Sequence, residues 1–275
     1  MTAAEQFDDE PGFVALTEKI ARERRFACGS YKDRCLRRRI AVRMRACRAP
    51  SYGAYALHLD QHPDEWDRLL KSLTINVTKF FRNRDVFDAI ARTVVPALWA
   101  APAPSIRVWS AGCASGEEPY SLAILFDLHA AVAGGTAAAA RVQILASDID
   151  DASLNAARDG VYGSRAFAET APGIRRAYFS GAEPASVVPL VRALVRFERR
   201  DLVADPAPPG PFSLIVCRNV LIYFDRPTQE RLVAQFHRAL APGGFLVLGK
   251  TETMFGPQRD LFTMLDQRAR VYQRR

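Results

Sequence analysis

The strongest constraint on the fold is a change of pattern after Ala91. From there to the C-terminus, short apolar runs alternate with stretches of helical pattern. This alternation is typical of a parallel β-sheet with helices on its faces, because parallel neighbours need a long crossover connection. The four runs are Ile106–Trp109, Val142–Ala146, Phe212–Cys217 and Phe245–Leu248. The sequence therefore predicts a doubly wound α/β domain over most of the chain.

The first 75 residues differ, since they show little strand character and are punctuated by Pro50 and Pro63. Their pattern predicts four short helices, namely Phe13–Arg24, Lys32–Cys47, Tyr52–Asp60 and Asp64–Leu73. We therefore expect a small all-α domain over residues 1–75 and an α/β domain over residues 76–275. Residues 76–90 are expected to connect the two.

The C-terminal segments Phe262–Leu265 and Ala269–Gln273 predict an antiparallel hairpin closing the mostly parallel sheet. Nucleotide-binding dehydrogenases do not usually end this way. Ahead of the last parallel strand, Pro242-Gly-Gly244 supplies a left-handed stop for the preceding helix. Residues 165–200 are irregular, and short strands are expected near Tyr178 and at Val195–Phe197.

Candidate ligand-binding residues follow the first apolar run. The strand leads into Ala111-Gly-Cys-Ala-Ser-Gly116, and a helix opens there with Glu117-Glu-Pro-Tyr120. Strand, small-residue turn and helix N-terminus together allow a ligand to approach the backbone closely. The glycine spacing is not the GxGxxG of pyrophosphate sites, and Glu117 and Glu118 would repel a phosphate at this helix end. A ligand that carries positive charge is therefore expected at this turn.

Asp148 ends the second apolar run, where an acidic side chain can accept both hydroxyls of a ribose. The alternative is an ordinary helix N-cap, a role that Asp150 or Asp151 could fill equally well. Together, the glycine turn, the acidic strand end, the Pro-Gly-Gly step and the closing hairpin favour an S-adenosylmethionine-dependent methyltransferase. A dehydrogenase is the main alternative.

A strongly basic stretch runs from Arg22 to Arg48, with eleven basic and two acidic residues in a chain of net charge +8. Leu36, Ile40, Met44 and Cys47 form an apolar stripe at helical spacing. The opposite face carries Arg34, Arg37, Arg38, Arg45 and Arg48. This face is either a solvated surface or a docking site for nucleic acid or for acidic protein helices, and charge alone does not choose between them.

The five cysteines show no CxxC spacing, so neither a disulfide framework nor a metal site is expected. No apolar run reaches the roughly 18 residues that span a bilayer, and the acidic N-terminus is unlike a secretory signal. These features predict a cytoplasmic protein without membrane insertion, for which a monomer is the default expectation.

Four longer segments resemble the bacterial chemoreceptor glutamate methyltransferases, the CheR family. They are Leu73-Thr-Ile-Asn-Val-Thr-Lys-Phe-Phe-Arg82, Trp109-Ser-Ala-Gly-Cys-Ala-Ser-Gly-Glu-Glu-Pro-Tyr-Ser121, Ala146-Ser-Asp-Ile-Asp150 and Cys217-Arg-Asn-Val-Leu-Ile-Tyr-Phe-Asp225. The resemblance covers nearly the whole chain. It implies a class I methyltransferase domain that binds S-adenosylmethionine, preceded by a helical domain, and a small β-subdomain at about residues 165–200.

The resemblance also implies the site residues. Tyr223 matches the active-site tyrosine, and Arg82 is expected to position the cofactor carboxylate or the incoming glutamate. Of the two neighbouring glutamates, alignment favours Glu118. The expected cofactor contacts are Asn76, Thr78, Arg82, Gly112, Glu117 or Glu118, Asp148, Asp201, Leu202, Arg218 and Asn219.

The reaction implied is methyl transfer to glutamate side chains in the cytoplasmic domain of a chemoreceptor, whose acidic helices would face the arginine face. One departure is Gly249-Lys-Thr-Glu252, where the family commonly has Gly-His-Ser-Glu. Lys250 would place a fixed cation near the substrate. An RNA acceptor is disfavoured, because Cys217-Arg-Asn-Val220 stands where a base-flipping Asn-Pro-Pro-Tyr loop is expected. A non-catalytic cofactor-binding module is the remaining alternative.

Overall fold

The computed structural model describes residues 9–74, 77–133 and 141–275. The chain divides into two compact units. The helical unit comprises Met1–Asn76 together with Tyr223–Thr228, and the sheet unit comprises Val77–Ile222 together with Gln229–Arg275. Within the described ranges, no helix combines the length and the apolar character that a bilayer crossing requires.

Between residues 9 and 74 the helical unit contains four α-helices, and their bounds lie within three residues of those expected from the sequence. Asp9 caps the first helix by accepting a hydrogen bond from the N–H of Gly12, and Ser51 caps the third through Ala54 N. Pro63 opens the fourth, where its missing N–H is not needed. The helices are α1 (Glu10–Arg24), α2 (Asp33–Ala46), α3 (Tyr52–Gln61) and α4 (Pro63–Leu73).

The apolar stripe of α2 is buried as expected, since Leu36, Ile40 and Met44 are all inside the helical unit. Cys47 lies just beyond the helix and is only half-buried. Because a helix presents every third or fourth residue to the same side, residues between these positions face away from that core, and Arg34, Arg38 and Arg45 are exposed.

The sheet unit contains a seven-stranded sheet. Its strands are β1 (Ile106–Ala111), β2 (Val142–Asp148), β6 (Val195–Arg199), β7 (Phe212–Cys217), β8 (Leu240–Leu248), β9 (Phe262–Asp266) and β10 (Val271–Arg274). They lie in the order β6-β2-β1-β7-β8-β10-β9. The five strands from β6 to β8 are parallel, whereas β10 and β9 are antiparallel to their neighbours. The predicted doubly wound sheet with a closing hairpin is confirmed.

The centre of this sheet is β1, which pairs with β2 on one side and β7 on the other. The chain leaves β1 toward β2 and leaves β7 toward β8, which lie in opposite halves of the sheet. Ligands of such folds bind outside the carboxyl ends of the strands at this point. The helices of the sheet unit are α5 (Arg84–Ala89), α6 (Val95–Ala100), α7 (Glu117–Val132), α8 (Asp151–Asp159), α9 (Pro172–Tyr178), α10 (Pro189–Arg192) and α11 (Arg226–Ala239), the last of which begins in the helical unit.

A second, antiparallel sheet of three short strands lies within residues 161–187, in the order β3-β5-β4. These strands are β3 (Val161–Tyr162), β4 (Phe179–Ser180) and β5 (Ala185–Val187). Phe80 packs among aromatic rings from this part of the chain, with ring centroids 4.7–5.3 Å from those of Phe167 and Phe179. The strand expected at Val195–Phe197 belongs to the large sheet instead, as β6.

Candidate functional site

The turn after β1 requires glycine at both of its ends. Gly112 and Gly116 have φ of +81° and +93°, in the left-handed region that side chains disfavour. A Cβ on Gly112 would lie 2.5 Å from Val220 Cγ2, and one on Gly116 would lie 2.8 Å from Ala157 Cβ. Between them, Cys113 is 1% exposed, and burial raises the pKa of its thiol well above the usual range. The turn is thus a tightly packed loop at the carboxyl edge of the sheet.

Asp148, at the end of β2, braces this turn. Its Oδ2 accepts a hydrogen bond from Ala114 N at 2.8 Å, and its Oδ1 accepts one from Asp150 N at 3.0 Å. Burial raises its pKa, and the residue is 8% exposed. Asp150 is the residue that caps α8, so the capping alternative for Asp148 does not hold. Each carboxylate oxygen of Asp148 retains a second lone pair that can accept from a ligand hydroxyl.

The two glutamates at the start of α7 have different partners. Glu118 accepts a hydrogen bond from Ser110 Oγ at 2.9 Å and lies 3.4 Å from Arg218 Nη1. Glu117 accepts from Ser115 Oγ at 2.8 Å and lines a cavity of ≈ 550 Å³. Burial raises the pKa of both carboxyls. This helix end therefore holds two acidic groups, Glu117 buried and Glu118 largely buried with its side chain 12% exposed, which favour a cationic ligand over a phosphate.

Arg218 is committed to the segment that contains Arg82. Its side chain is 1% exposed, and its Nη2 donates to Arg82 O at 2.8 Å and to Asn83 Oδ1 at 3.1 Å. Its guanidinium also lies 5.2 Å from the ring centroid of Phe87. Phe81 and Asn83 have φ of 55° and 59°, so left-handed residues flank Arg82 on both sides. Arg218 thus holds a strained turn in place.

The guanidinium of Arg82 itself is half-buried, and its Nη1 donates to Val77 O at 2.8 Å. Thr78 lines the same cavity as Glu117. The structure therefore places both residues of the connecting segment, Thr78 and Arg82, in the sheet unit. Asn76 lies outside the described residues.

Asp201 organises its own turn. Its Oδ1 accepts from Val203 N at 2.8 Å and from Ala204 N at 3.3 Å. Leu202 is buried beside it, and the preceding N–H of Arg200 donates to Asp148 O at 2.9 Å. This hydrogen bond connects the end of β6 to the end of β2. The predicted cofactor contacts Asp148, Asp201 and Leu202 therefore lie at the same edge of the sheet.

Asn219 follows β7 with φ of 59°, and its N–H donates to the carboxylate of Glu252 at 3.0 Å. Glu252 was absent from the expected site residues. Its signal in the sequence is its place at the end of Gly249-Lys-Thr-Glu252, but its role depends on tertiary contacts with the segment at 219–222.

The ammonium group of Lys250 forms an ion pair with a carboxylate. Its Nζ lies 2.6 Å from Asp85 Oδ2, and this hydrogen bond lowers the pKa of Asp85. Lys250 therefore has a counter-ion within the sheet unit.

Tyr223 groups with the helical unit, at the end of the short 3₁₀ turn Leu221–Tyr223. Its carbonyl accepts a hydrogen bond from Lys32 N at 2.9 Å, and the neighbouring Phe224 forms a β-bridge with Tyr31. The tyrosine's backbone is thereby fixed to the segment immediately before α2.

The basic face of α2 is smaller than expected. Arg37 forms an ion pair with Glu10, and its guanidinium lies 3.8 Å from the ring centroid of Phe13, so its side chain is only 17% exposed. A flat guanidinium stacks well on an aromatic ring, and this packing removes Arg37 from the set of outward-facing residues. The exposed arginine set comprises Arg34, Arg38, Arg45 and Arg48.

Cys47, His58 and Glu65 bring metal-ligand types together, with ligand atoms within 4.8 Å of one another. However, Glu65 is already bound in a bidentate ion pair by Arg43, at 2.9 and 2.8 Å, and accepts a third hydrogen bond from Tyr55. Burial alone would raise the pKa of Glu65, but the hydrogen bonds from Arg43 and Tyr55 outweigh it and the pKa is lowered. The cluster is better explained as a buried ion pair that joins α2 and α4.

Comparison with known proteins gives matches over almost the whole chain. Residues 11–74 match the family model described as CheR methyltransferase, all-alpha domain. Residues 76–271 match the model described as CheR methyltransferase, SAM binding domain. The chain is 35% identical to a chemotaxis protein methyltransferase of Listeria monocytogenes, over 91% of this chain and 93% of the relative. It is 33% identical to the chemotaxis protein methyltransferase of Escherichia coli, over 93% and 88%.

Proposed function

Because the chain belongs to the CheR family of S-adenosylmethionine-dependent chemotaxis methyltransferases, we propose that it methylates glutamate side chains of a chemoreceptor, forming glutamyl methyl esters. The observation that carries this proposal is the turn at residues 111–118. It is too crowded for side chains at its glycines, is braced by Asp148, and ends in two glutamates, of which Glu117 is buried and Glu118 is 12% exposed at its side chain. That chemistry suits a ligand with ribose hydroxyls, an ammonium group and a sulfonium.

The residues of the sheet unit fit such a cofactor. Asp148 can accept hydrogen bonds from ribose hydroxyls, and the carboxylates of Glu117 and Glu118 suit positive charge. Arg82 is our candidate for the cofactor carboxylate or the incoming glutamate, and Arg218 holds the backbone on which Arg82 lies. When bound, S-adenosylmethionine supplies an activated methyl group, and we infer no metal requirement.

Little acid–base chemistry is needed from the protein. A glutamate acceptor is already ionised at neutral pH, because its ordinary pKa is about 4.3. The protein must instead hold donor and acceptor in line, and such positioning can contribute about 7–11 kcal/mol. Tyr223 is our candidate for orienting the acceptor oxygen through a hydrogen bond from its hydroxyl.

The exposed arginine set on α2 is our candidate receptor surface. Guanidinium groups pair with carboxylates in two parallel hydrogen bonds, so acidic methylation helices are a suitable partner. We propose a monomer that acts in the cytoplasm and does not bind nucleic acid. The five cysteines, which all lie in described ranges and are all free thiols, suit a reducing compartment.

The proposal is tested by incubating the purified chain with methyl-tritiated S-adenosylmethionine and either a receptor cytoplasmic fragment or RNA. We expect base-labile label on the receptor fragment and none on RNA. Label on RNA, or none on any receptor fragment from the same organism, would refute the proposed acceptor.

The docking surface is tested separately with Arg38→Glu/Arg45→Glu. This variant should lose most receptor methylation while its calorimetric affinity for S-adenosylhomocysteine stays unchanged. The matched control is Arg259→Glu/Arg268→Glu, which makes the same charge change at exposed positions of the sheet unit. If the two variants methylate the receptor fragment equally, the exposed arginine set is an ordinary solvated surface and not a docking site.

A further inference from the structure

The carboxylate of Glu252 is surrounded by backbone N–H groups. Its Oε2 accepts from Gly249 N at 2.5 Å and from Asn219 N at 3.0 Å. Its Oε1 accepts from Val220 N at 2.8 Å and from Ile222 N at 3.2 Å. The residue is 3% exposed. A carboxylate offers about four lone-pair sites, and here four N–H donors occupy them.

Three of the four donors belong to the segment at residues 219–222, and the fourth is Gly249 N. Residues 219–222 lie after the end of β7 and before α11, and Asn219 has a left-handed backbone. Backbone N–H groups that are buried without an acceptor cost free energy comparable to a lost hydrogen bond. Glu252 therefore supplies the hydrogen-bond acceptors that a neighbouring strand or a helical turn would otherwise provide for these N–H groups.

The loop that carries Glu252 is shaped for this approach. A Cβ on Gly249 would lie 2.6 Å from Glu252 Oε2 and 2.8 Å from Asn219 N. Only a residue without a side chain lets the carboxylate and the 219–222 segment meet here. Gly249 and Glu252 are therefore both needed for the hydrogen bonds between the Glu252 carboxylate and the 219–222 backbone.

The segment held in this way bears one proposed cofactor contact and directly follows another. Arg218, immediately before it, holds the Arg82 turn, and Asn219 is its first residue. Val220 lies against the glycine turn, since its Cγ2 is the atom that a Cβ on Gly112 would meet. Displacing the 219–222 backbone would therefore disturb both sides of the site in the sheet unit.

We propose that Glu252 is a positioning residue for methyl transfer, which fixes the 219–222 backbone without touching cofactor or acceptor. This inference rests on the proposed function, because it assumes that Arg218 and Asn219 border the cofactor. Burial raises the pKa of Glu252 while its four N–H partners oppose that shift, so the ionised form depends on those four bonds being kept.

The test compares Glu252→Gln with the matched control Glu65→Gln, which also replaces a buried carboxylate but lies in the helical unit. An amide has the same shape, but its NH₂ group points donors at N–H groups that need an acceptor. Calorimetry with S-adenosylhomocysteine and kcat and KM for the methyl donor are measured below the melting temperature of every variant.

We expect Glu252→Gln to weaken S-adenosylhomocysteine binding by about tenfold or more and to lower kcat. Glu65→Gln should lower the melting temperature while leaving that affinity within about twofold. Gly249→Ala is a second variant that pushes the same groups apart, and it should reproduce the loss. If either Glu252→Gln or Gly249→Ala folds and binds S-adenosylhomocysteine with wild-type affinity, the positioning role is refuted. If the wild type itself does not bind, the proposed function fails first.

Discussion

Replacing Gly112 by alanine tests the geometry of the turn after β1. Its φ is +81°, and an added Cβ would lie 2.5 Å from Val220 Cγ2. A left-handed backbone costs a residue with a Cβ about 1–2 kcal/mol, and forcing a methyl group into a packed position costs about 1–3 kcal/mol. We therefore expect Gly112→Ala to lower the free energy of unfolding by about 2–5 kcal/mol.

The two contributions are separated by a double-mutant cycle with Val220→Ala, which removes both Cγ atoms near the new methyl group. In the double variant, the overpacking part of about 1–3 kcal/mol should disappear while the backbone strain remains. The assay is urea unfolding followed by circular dichroism for the wild type, both single variants and the double variant. Calorimetry with S-adenosylhomocysteine on the same proteins shows whether affinity recovers together with packing.

The matched control is Gly173→Ala, in α9, where φ is not left-handed and no atom lies within 4 Å of an added Cβ. This variant should be neutral or slightly more stable than wild type, because alanine is the better helix former by about 0.5–1 kcal/mol. If the effects of Gly112→Ala and Val220→Ala simply add, the contact with Val220 does not explain the glycine, and the packing argument is wrong.

Three further outcomes are expected. Asp148→Ala should weaken S-adenosylhomocysteine binding by about tenfold or more, because it removes the proposed ribose acceptor and the hydrogen bond from Ala114 N. If calorimetry finds unchanged affinity, Asp148 does not belong to the site. Glu65→Gln should destabilise the helical unit by about 3 kcal/mol in urea unfolding, because it breaks a buried pair with Arg43, and a loss well under 1 kcal/mol would contradict that account. The pKa values of Glu117 and Glu118 are raised in the folded chain, so the folded chain binds protons at these groups more tightly than the unfolded chain does. The contribution of the two groups to the free energy of unfolding is therefore largest at low pH, and it is lost as the pH rises through the raised pKa values. The cationic methyl donor needs the ionised forms, so its calorimetric affinity should rise over the same pH range, and a flat profile would argue against these carboxylates as its partners.

Apolar runs were enough to predict the central strands of the sheet, but not all of their bounds. The last parallel strand, β8, begins at Leu240 and not at Phe245, so Pro242-Gly-Gly244 lies within the strand and the preceding helix has already ended at Ala239. The strand at Phe212–Cys217 was predicted with the bounds observed, and the closing hairpin with bounds that differ by one or two residues. The helices over residues 84–100 were not predicted, since Pro96 breaks the helical pattern. In the structure a π-helical turn, Ile90–Val94, separates α5 from α6, and Pro96 then falls in the first turn of α6, where proline is tolerated.

Residue types at the site were predictable, but several of their partners were not. The resemblance pointed to Arg218 as a cofactor contact, whereas the structure commits its Nη2 to the carbonyl of Arg82, 136 positions earlier in the chain. Helical periodicity placed Arg37 on the outward face, but stacking on Phe13 of α1 draws it inward. Periodicity assigns a residue to a face of its own helix, and it carries no information about which neighbouring element covers that face.

The burial of Cys113 has a chemical consequence for an enzyme that handles an alkylating cofactor. A thiolate is the reactive form of cysteine, and next to a sulfonium it would be a competing acceptor, able to form a stable thioether and inactivate the protein. Cys113 lies in the glycine turn yet is 1% exposed, and burial raises the pKa of its thiol well above the usual range. The turn can therefore include a sulfur atom without exposing the enzyme to self-alkylation at that position.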